Sequence, residues 1–308
     1  TAGRQHVKWG TGRFWNPTDY LHPQTRDPLA VFDDRIGVNL VKFHIPWEKK
    51  GWNFYPVALL ETNPQSDTLE EIGGAFRAEM LFGSTEVGLD ALGLRHDWGR
   101  FGADVSLPLG PFDVHGEIGW TPASEVPLWR VGPTGSYDPY FSQECQYQAV
   151  GGFSWDWKYS DSDTLTLGLE AFTQSGGHED PAYYDDLQAN LAYPNQYRPF
   201  YLGKNYISAF LFVPNPGGWD HTNFIFSSLV NLSDESALSR LDINQRVLTH
   251  LQVEMFVSGH YGTLGGEFRR GVDVPDTVLG VPPASFTVPG LHIPVPLVEA
   301  GMALRINI

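Results

Sequence analysis

Residues 112–120 read Phe-Asp-Val-His-Gly-Glu-Ile-Gly-Trp, so that apolar or small side chains alternate with charged ones. Because successive side chains of a β-strand point to opposite faces, this order places Asp113, His115 and Glu117 on one face and an apolar surface on the other. Such alternation is typical of a strand that separates two unlike environments. The stretch therefore predicts a two-faced β-strand.

The same alternation recurs along the chain and predicts an all-β fold of about fourteen antiparallel strands. We expect these strands at 1–9, 35–47, 52–62, 72–82, 86–96, 101–107, 112–121, 146–159, 164–173, 201–213, 221–232, 237–247, 251–261 and 293–308. All-β barrels of 308 residues commonly form one unit, so a single domain covering 1–308 is expected.

Five of the predicted connections are long and the others are short. The long ones are 10–34, 63–71, 122–145, 174–200 and 262–292. Each of them occupies an odd position in the order of connections, whereas every even position holds a short turn such as 48–51. All long loops therefore emerge at one end of the sheet. This asymmetry is typical of outer-membrane barrels, and soluble sandwiches or propellers, the alternative folds, have no general reason for it.

The composition excludes several function classes. The net charge of -16 argues against a nucleic-acid-binding role, because phosphate neutralisation needs an excess of clustered Lys and Arg. The single Cys145 excludes an internal disulfide, and we expect it to be buried. The ten histidines show no HxxxH or HExxH spacing, so no metal or other cofactor is predicted.

The segment Trp9-Gly10-Thr11-Gly12-Arg13-Phe14-Trp15-Asn16-Pro17-Thr18-Asp19 resembles the strand-to-loop signature of poorly characterised porin-like barrels of the Gram-negative outer membrane. The alternating residues 298–308 are similar to the closing strand of such barrels, although Ile308 stands where many of them end in Phe. The resemblance implies a closed transmembrane β-barrel with short periplasmic turns, long extracellular loops and both termini periplasmic. Its surroundings would be outer-membrane lipid and lipopolysaccharide. The first residues already have the pattern of the later part of a strand, so we expect that residues preceding Thr1 have been processed or are missing.

Two sets of charged residues are predicted to line the lumen. The basic set lies on the first two strands and on strands near the closure, because the first strand pairs with the last in a closed barrel. It consists of Arg4, Lys8, Lys42, Arg240, Arg246 and Arg305, accompanied by His6 and His44. The acidic set lies across the barrel and consists of Asp90, Asp104, Asp113, Glu117, Asp156 and Glu170. Opposed charged walls would create a transverse field that filters solutes by charge and polarity. The alternative is that these charges pair with one another inside a filled barrel.

The leading functional hypothesis is a channel for small polar solutes. One alternative is a structural barrel that holds a lipoprotein, a secreted chain or an electron carrier, and another is a surface-binding protein that acts through its long loops. A homo-oligomer is compatible with each hypothesis. Ser258-Gly259-His260 is the nearest approach to a nucleophile and base, but its predicted inward position does not suit lipid hydrolysis, and we predict no enzymatic activity.

Overall fold

The computed structural model describes residues 1–22, 26–29, 35–61, 72–95, 99–124, 128–131, 137–181, 184, 198–274, 277–279, 286–288 and 290–306. The strands of the first half are β1 Ala2–Gln5, β2 Val38–Lys42, β3 Ile45–Trp47, β4 Trp52–Glu61, β5 Gly73–Phe82, β6 Thr85–Leu94, β7 Arg100–Leu109, β8 Phe112–Thr121, β9 Leu128–Val131 and β10 Tyr137–Tyr140. Those of the second half are β11 Gln146–Lys158, β12 Thr164–Gln174, β13 Asn205–Pro214, β14 Thr222–Asn231, β15 Ser236–Leu248, β16 Leu251–Gly262, β17 Val272–Val274, β18 Thr277–Leu279, β19 Phe286–Val288, β20 Leu291–Ile293 and β21 Val298–Ile306. A short 3₁₀ turn covers Glu267–Arg269.

One large antiparallel sheet contains most of these strands, which confirms the predicted all-β class. Its order is β1-β2-β4-β5-β6-β7-β8-β11-β12-β13-β14-β15-β16-β21, and β3 pairs with the first three residues of β4, 52–54. The strand order ends at β1 and β21, and no ladder joins these two strands in the part of the chain that the structure describes.

The fourteen predicted strands all occur, but several have other bounds. The predicted strands 201–213 and 293–308 begin later, at Asn205 and Val298. The predicted strand 35–47 is divided into β2 and β3, and the predicted strand 1–9 is shortened to Ala2–Gln5 because the following residues leave the sheet. The prediction that 122–145 and 262–292 are plain loops was wrong, since they contain the small hairpins β9–β10, β17–β20 and β18–β19. These strands have only three or four residues, too few to show a period. Cys145, which we expected to be buried, is exposed.

As predicted, every even-numbered connection between strands of the main sheet is short, and the long connections stand at odd positions. The tightest turns join β5 to β6 and β7 to β8, where Phe82 pairs with Thr85 and Leu109 with Phe112. Gly83 and Gly110 have φ values of 66° and 63° and stand first in these two-residue turns. Only glycine adopts that backbone without strain, which explains why these turns can be so short.

The two faces of the sheet have opposite character. We call the face that contacts residues 9–22 the inner face, and the other the outer face. Asp104 pairs with Glu117 across β7 and β8 on the inner face, and both side chains are buried. Phe101 pairs with Trp120 on the outer face, and both are exposed. The register therefore places charges inside and apolar groups outside.

Candidate functional site

Residues 9–22, which we call the inner segment, lie against the inner face of the sheet. Trp9 and Leu21 pack in one apolar cluster with side chains of β2, β4, β5 and β6. Phe14 and Trp15 pack in another cluster with side chains of β11 to β15. One short segment therefore contacts the inner face across most of the width of the sheet, which requires that the sheet curve around it.

Glu117 on β8 binds the inner segment through its backbone. One carboxylate oxygen accepts hydrogen bonds from the amides of Thr11 and Gly12 at 2.9 and 3.1 Å. The other oxygen accepts from the Thr18 amide at 2.6 Å and from the Thr18 hydroxyl at 2.9 Å. The side chain is buried, so these four donors replace its lost hydration. Glu117 is thus an anchor for the inner segment.

Glu170 on β12 anchors the next residues of the same segment. Its carboxylate accepts hydrogen bonds from the amides of Arg13 at 2.5 Å and Phe14 at 2.8 Å. The ring of His115 on β8 lies 3.0 Å from the same carboxylate through Nε2. Two inner-face carboxylates therefore hold consecutive parts of one loop.

Two glycines allow the close approach between the segment and the sheet. Gly10 has a φ of 86°, and a Cβ atom there would collide with the Glu117 carboxylate. On β8, a Cβ atom at Gly119 would collide with the Pro17 carbonyl oxygen and the Tyr20 hydroxyl. The inner segment can therefore lie directly against β8 at both positions.

Trp15 is the apolar centre of the inner segment. Its side chain is fully buried, and its ring stacks on Phe172 with the centroids 5.2 Å apart. The indole Nε1 donates to the carbonyl oxygen of Phe200 at 3.1 Å, which satisfies the only polar atom of the side chain. Trp15 thereby links the segment to the connection that precedes β13.

Asp90 and Asp104 do not contact the inner segment's backbone in this way but pair with an arginine. The Arg77 guanidinium lies 2.8 Å from a carboxylate oxygen of each of them, and its Nε lies 2.9 Å from Glu79. Arg77 is buried on β5, opposite Asp90 on β6. Arg77 is not among the predicted lumen residues, although the alternation of Ala75, Arg77 and Glu79 along β5 was the signal that could have identified it.

The two remaining members of the acidic set lie near the short turns. Asp113 is exposed at the start of β8, opposite Pro108. Asp156 is exposed on β11 and accepts a hydrogen bond of 2.6 Å from the Thr166 hydroxyl. The structure therefore does not bring the six acidic residues together as one open wall. Four of them are buried in contacts, and two are accessible.

The basic residues near the end of the chain are largely paired. Arg240 binds Asp242 through two nitrogens, with the shorter contact at 2.7 Å, and its guanidinium lies 4.0 Å from the centre of the Phe256 ring. Arg305 on β21 pairs with Glu254 on β16 at 2.9 Å. Arg246 lies 3.0 Å from the ring of His221. These partners lie on the same strand as the arginine, on a neighbouring strand or, for His221, directly before β14.

The basic residues near the start of the chain have other surroundings. Arg4 is exposed on β1, and Lys8 lies beyond β1 and donates to the Gly12 carbonyl oxygen at 3.2 Å. Lys42 lies 5.7 Å from the centre of the Tyr55 ring. The ring of His44 stacks on the same tyrosine at 5.0 Å, and His6 contacts the ring of His22 at 4.4 Å.

A polar network fixes the 3₁₀ turn to the rim of the sheet. Glu267 accepts hydrogen bonds from the Tyr206 hydroxyl at 2.6 Å, from the Asn231 amide group at 3.0 Å and from the Phe200 amide at 2.5 Å. The backbone amide of Glu267 in turn donates to Asp234 at 2.7 Å. Burial raises the pKa of Glu267 to about 7, and the nearby charge of Asp234 adds to this rise while the Tyr206 hydrogen bond opposes it.

A cavity of about 290 Å³ lies between this rim and the strands β15, β16 and β21. Its polar lining consists of Asp27, Arg240, Ser258, His260, Glu267 and Glu299. Leu29, Leu238 and the rings of Phe200 and Phe268 provide apolar lining. Ser258 and His260 of the Ser258-Gly259-His260 motif thus line the cavity, beside Asp27 and Leu29 of the connection that contains the inner segment.

Two further features concern metals and helices. Among the described residues, no group of three or more His, Cys, Asp or Glu side chains could hold a metal ion. Within the same ranges, no helix is long and apolar enough to cross a membrane.

Comparison with known proteins gives no relative for this arrangement of strands and inner segment. No family model matches the chain, and neither a curated protein nor a solved structure is significantly similar to it.

Proposed function

We propose that this chain is an outer-membrane β-barrel that acts as a channel for small polar solutes, narrowed by the inner segment. The observation that carries the proposal is the reversed polarity of the sheet. Buried inner-face positions include Arg77, Asp90 and Glu117, whereas large apolar side chains are exposed on the outer face. The exposed set includes Leu60, Phe76, Leu89, Phe101, Ile118, Leu169, Ile207, Phe226, Met255, Val257, Met302 and Leu304. A continuous exposed apolar surface of this extent needs a cover, and lipid provides one.

The lengths of the strands support a membrane location. From β4 onward, the strands of the main sheet have between 9 and 13 residues. A tilted transmembrane β-strand needs about 9–11 residues to cross the hydrocarbon core of a bilayer. The apolar outer face is therefore tall enough to match that core.

Exposed aromatic side chains support the same reading, because they gather at both ends of the strands. Near the short turns these residues are Trp47, Phe82, Phe112, Trp157, Tyr159 and Trp219. Near the long connections they are Phe101, Trp120, Tyr147 and Tyr261. Aromatic residues form such girdles at the two membrane–water interfaces of outer-membrane barrels.

In this proposal β1 and β21 are neighbours in a closed barrel of fourteen strands, and both termini are periplasmic with the short turns. The inner segment and its carboxylate anchors fill the part of the lumen next to β5 through β13. The passage then runs along β15, β16 and β21, where the described cavity lies. Charge selection would come from the accessible charges of the lumen, because Asp90, Asp104, Glu117 and Glu170 are already engaged.

The test is conductance of the purified chain in planar bilayers. Folding is checked first by the mobility shift between heated and unheated samples in gel electrophoresis and by β-rich circular dichroism in lipid vesicles. We expect discrete ion steps and permeation of small polar solutes into vesicles. Folded protein that inserts into vesicles but never gives steps would contradict the channel function, and folded protein that remains soluble without detergent would contradict the membrane location as well.

A matched pair of variants links the steps to the lumen. Glu117→Gln weakens an anchor of the inner segment, so we expect larger or more frequent steps than in the unmodified chain. Glu48→Gln alters an exposed carboxylate in a short turn, away from the proposed passage, so its step size should change less. Identical steps in both variants would show that residues 9–22 do not narrow the passage.

A further inference from the structure

His260 has an unusual position in the cavity beside β15, β16 and β21. Its Nδ1 lies 2.8 Å from the carbonyl oxygen of Phe268, which can only accept a hydrogen bond. Nδ1 must therefore carry the proton, and Nε2 of the neutral ring is an acceptor. Nε2 is buried without a hydrogen-bond partner in the described part of the chain, and 9% of the side chain is exposed. A buried acceptor without a donor is costly, which suggests that something else supplies the donor.

The group nearest to this nitrogen is also an acceptor. Glu299 on β21 has a carboxylate oxygen 3.6 Å from His260 Nε2, and 53% of its side chain is exposed. Within the described residues no Lys or Arg forms an ion pair with Glu299. The Ser258 hydroxyl and the Arg240 guanidinium also line this cavity, but among the described residues no donor forms a hydrogen bond with His260 Nε2. The carboxylate and the imidazole nitrogen thus face a common space.

The charges around the cavity favour a cation. Arg240 forms an ion pair with Asp242, and the Phe256 ring lies against its guanidinium, so its positive charge is largely balanced by these two contacts. Asp27 also lines the cavity and accepts a hydrogen bond only from the Leu29 amide among the described contacts. The unpaired charge of the lining is therefore negative.

The apolar lining restricts the kind of cation. The rings of Phe200 and Phe268 have centroids 5.9 Å apart, and both line the cavity. Aromatic faces bind apolar groups and also attract cations. The volume of about 290 Å³ lies at the lower end of small-ligand sites and exceeds what a bare inorganic ion needs.

We propose that this cavity binds a small organic ammonium ion. Its –NH₃⁺ group offers three donors and a positive charge to Glu299 and to Nε2 of His260, and its apolar part packs against Phe200 and Phe268. Passage of the cation through the chain rests on the proposed function, because the cavity would then be a binding site within the channel. Binding to the purified chain does not depend on that passage.

Three probes with one ring and different head groups test the proposal. Benzylammonium, benzyl alcohol and benzoate are titrated by calorimetry into the full chain in detergent micelles, with empty micelles as the blank. We expect saturable 1:1 binding of benzylammonium, at least tenfold tighter than that of benzyl alcohol, and no measurable binding of benzoate. Equal affinity for the ammonium and the alcohol would overturn the proposal, as would no binding of benzylammonium.

Matched variants locate the bound group. Glu299→Gln keeps the shape but removes the charge, and His260→Phe removes the acceptor, so each should weaken benzylammonium binding at least tenfold. Glu254→Gln removes a carboxylate that pairs with Arg305 and does not line the cavity, so its affinity should stay within twofold. Unchanged binding by Glu299→Gln, in a sample with the circular dichroism spectrum of the unmodified chain, would overturn the assignment.

Conductance separates this inference from the channel function. Ion steps without saturable benzylammonium binding would refute the cavity's role and leave the channel intact. Benzylammonium binding without ion steps would support the cavity and refute the channel.

Discussion

The charged side chains of the inner face differ in burial between two regions of the sheet. Along β5 to β13, the charged side chains beside the inner segment are buried with complete partners, as in the contacts of Arg77 and Glu117, and Asp113 and Asp156 near the short turns are exposed. Along β16 and β21, the Arg305 and Glu254 side chains are 42% and 18% exposed, and Glu299 is more exposed still. We call these regions the filled half and the accessible half.

The difference shows that inward-facing charges can either hold the inner segment or remain available to a solute. A charge that is removed from water needs hydrogen-bonding partners, so the charges of the filled half specify one position for the inner segment. A charge that remains in contact with water does not need a protein partner and stays available to a solute. The four predictions below test this contrast, beginning with the largest expected effect.

Removing the cation from the filled half should cause the largest loss of stability. Arg77→Met leaves Asp90 and Asp104 buried side by side, and breaking a buried pair costs about 3–5 kcal/mol. The measurement is the free energy of unfolding by urea in lipid vesicles. Arg305→Met in the accessible half is the control, and an exposed pair should lose no more than about 1 kcal/mol. Equal losses in the two variants would eliminate the distinction between the halves.

Weakening an anchor should have the next largest effect. Glu117→Gln replaces charged acceptors of four hydrogen bonds by one neutral oxygen, so we expect a loss of about 2–3 kcal/mol. Hydrogen exchange of the amides of Thr11, Gly12 and Thr18 should accelerate in the same variant. Unchanged exchange at these amides would show that the inner segment is held by its aromatic packing alone.

The pH dependence of stability tests the network at the border of the two halves. The pKa of Glu267 is raised from 4.5 to about 7, so the folded chain binds more protons than the unfolded chain between these values. The contribution of this group is therefore greatest below pH 4.5 and is lost as the pH rises to about 7. We expect an amplitude on the order of 2 kcal/mol in the difference between the unmodified chain and Glu267→Gln. A difference that does not change between pH 4.5 and 8 would contradict this assignment.

Neutralising an accessible carboxylate should affect ion selection far more than stability. Asp113→Asn alters an exposed side chain near the short turns, so the free energy of unfolding should change by no more than about 0.5 kcal/mol. In the proposed channel, the reversal potential in a salt gradient should shift toward anions. Asp104→Asn changes a buried carboxylate of the filled half and serves as the comparison. A shift in Asp104→Asn but not in Asp113→Asn would reverse the proposed roles of the two sites.

Much of the fold could be predicted from local patterns, but the partners of the charged residues could not. Alternation alone located β8 within a residue at each end, because burial on one face imposes a period of two. The same alternation indicated that Asp90, Glu117 and Glu170 share a face. It contained no information on which donors would satisfy them. Asp90 is paired with the Arg77 side chain of the neighbouring strand, and Glu117 and Glu170 accept from backbone amides more than 90 positions away along the chain.

The inner segment illustrates the same limit. The Trp9 to Asp19 run was recognised as a signature, but it was placed in a loop that follows the first strand. The structure brings this run under β8 and β12, where Gly10 and Thr18 fit around Glu117. Its position depends on complementarity between a loop and a distant surface, which periodicity does not describe.

The sequence alone determined the all-β class, the fourteen strands along the path of the main sheet and the position of the long connections. Each of these depends on interactions between near neighbours, namely side-chain alternation, turn glycines and segment length. The filling of one half by residues 9–22, the pairing of Arg77 and the cavity beside His260 were decided only by the tertiary structure. They depend on which buried polar atoms find partners across the curved sheet, and this is known only when all the strands are in place.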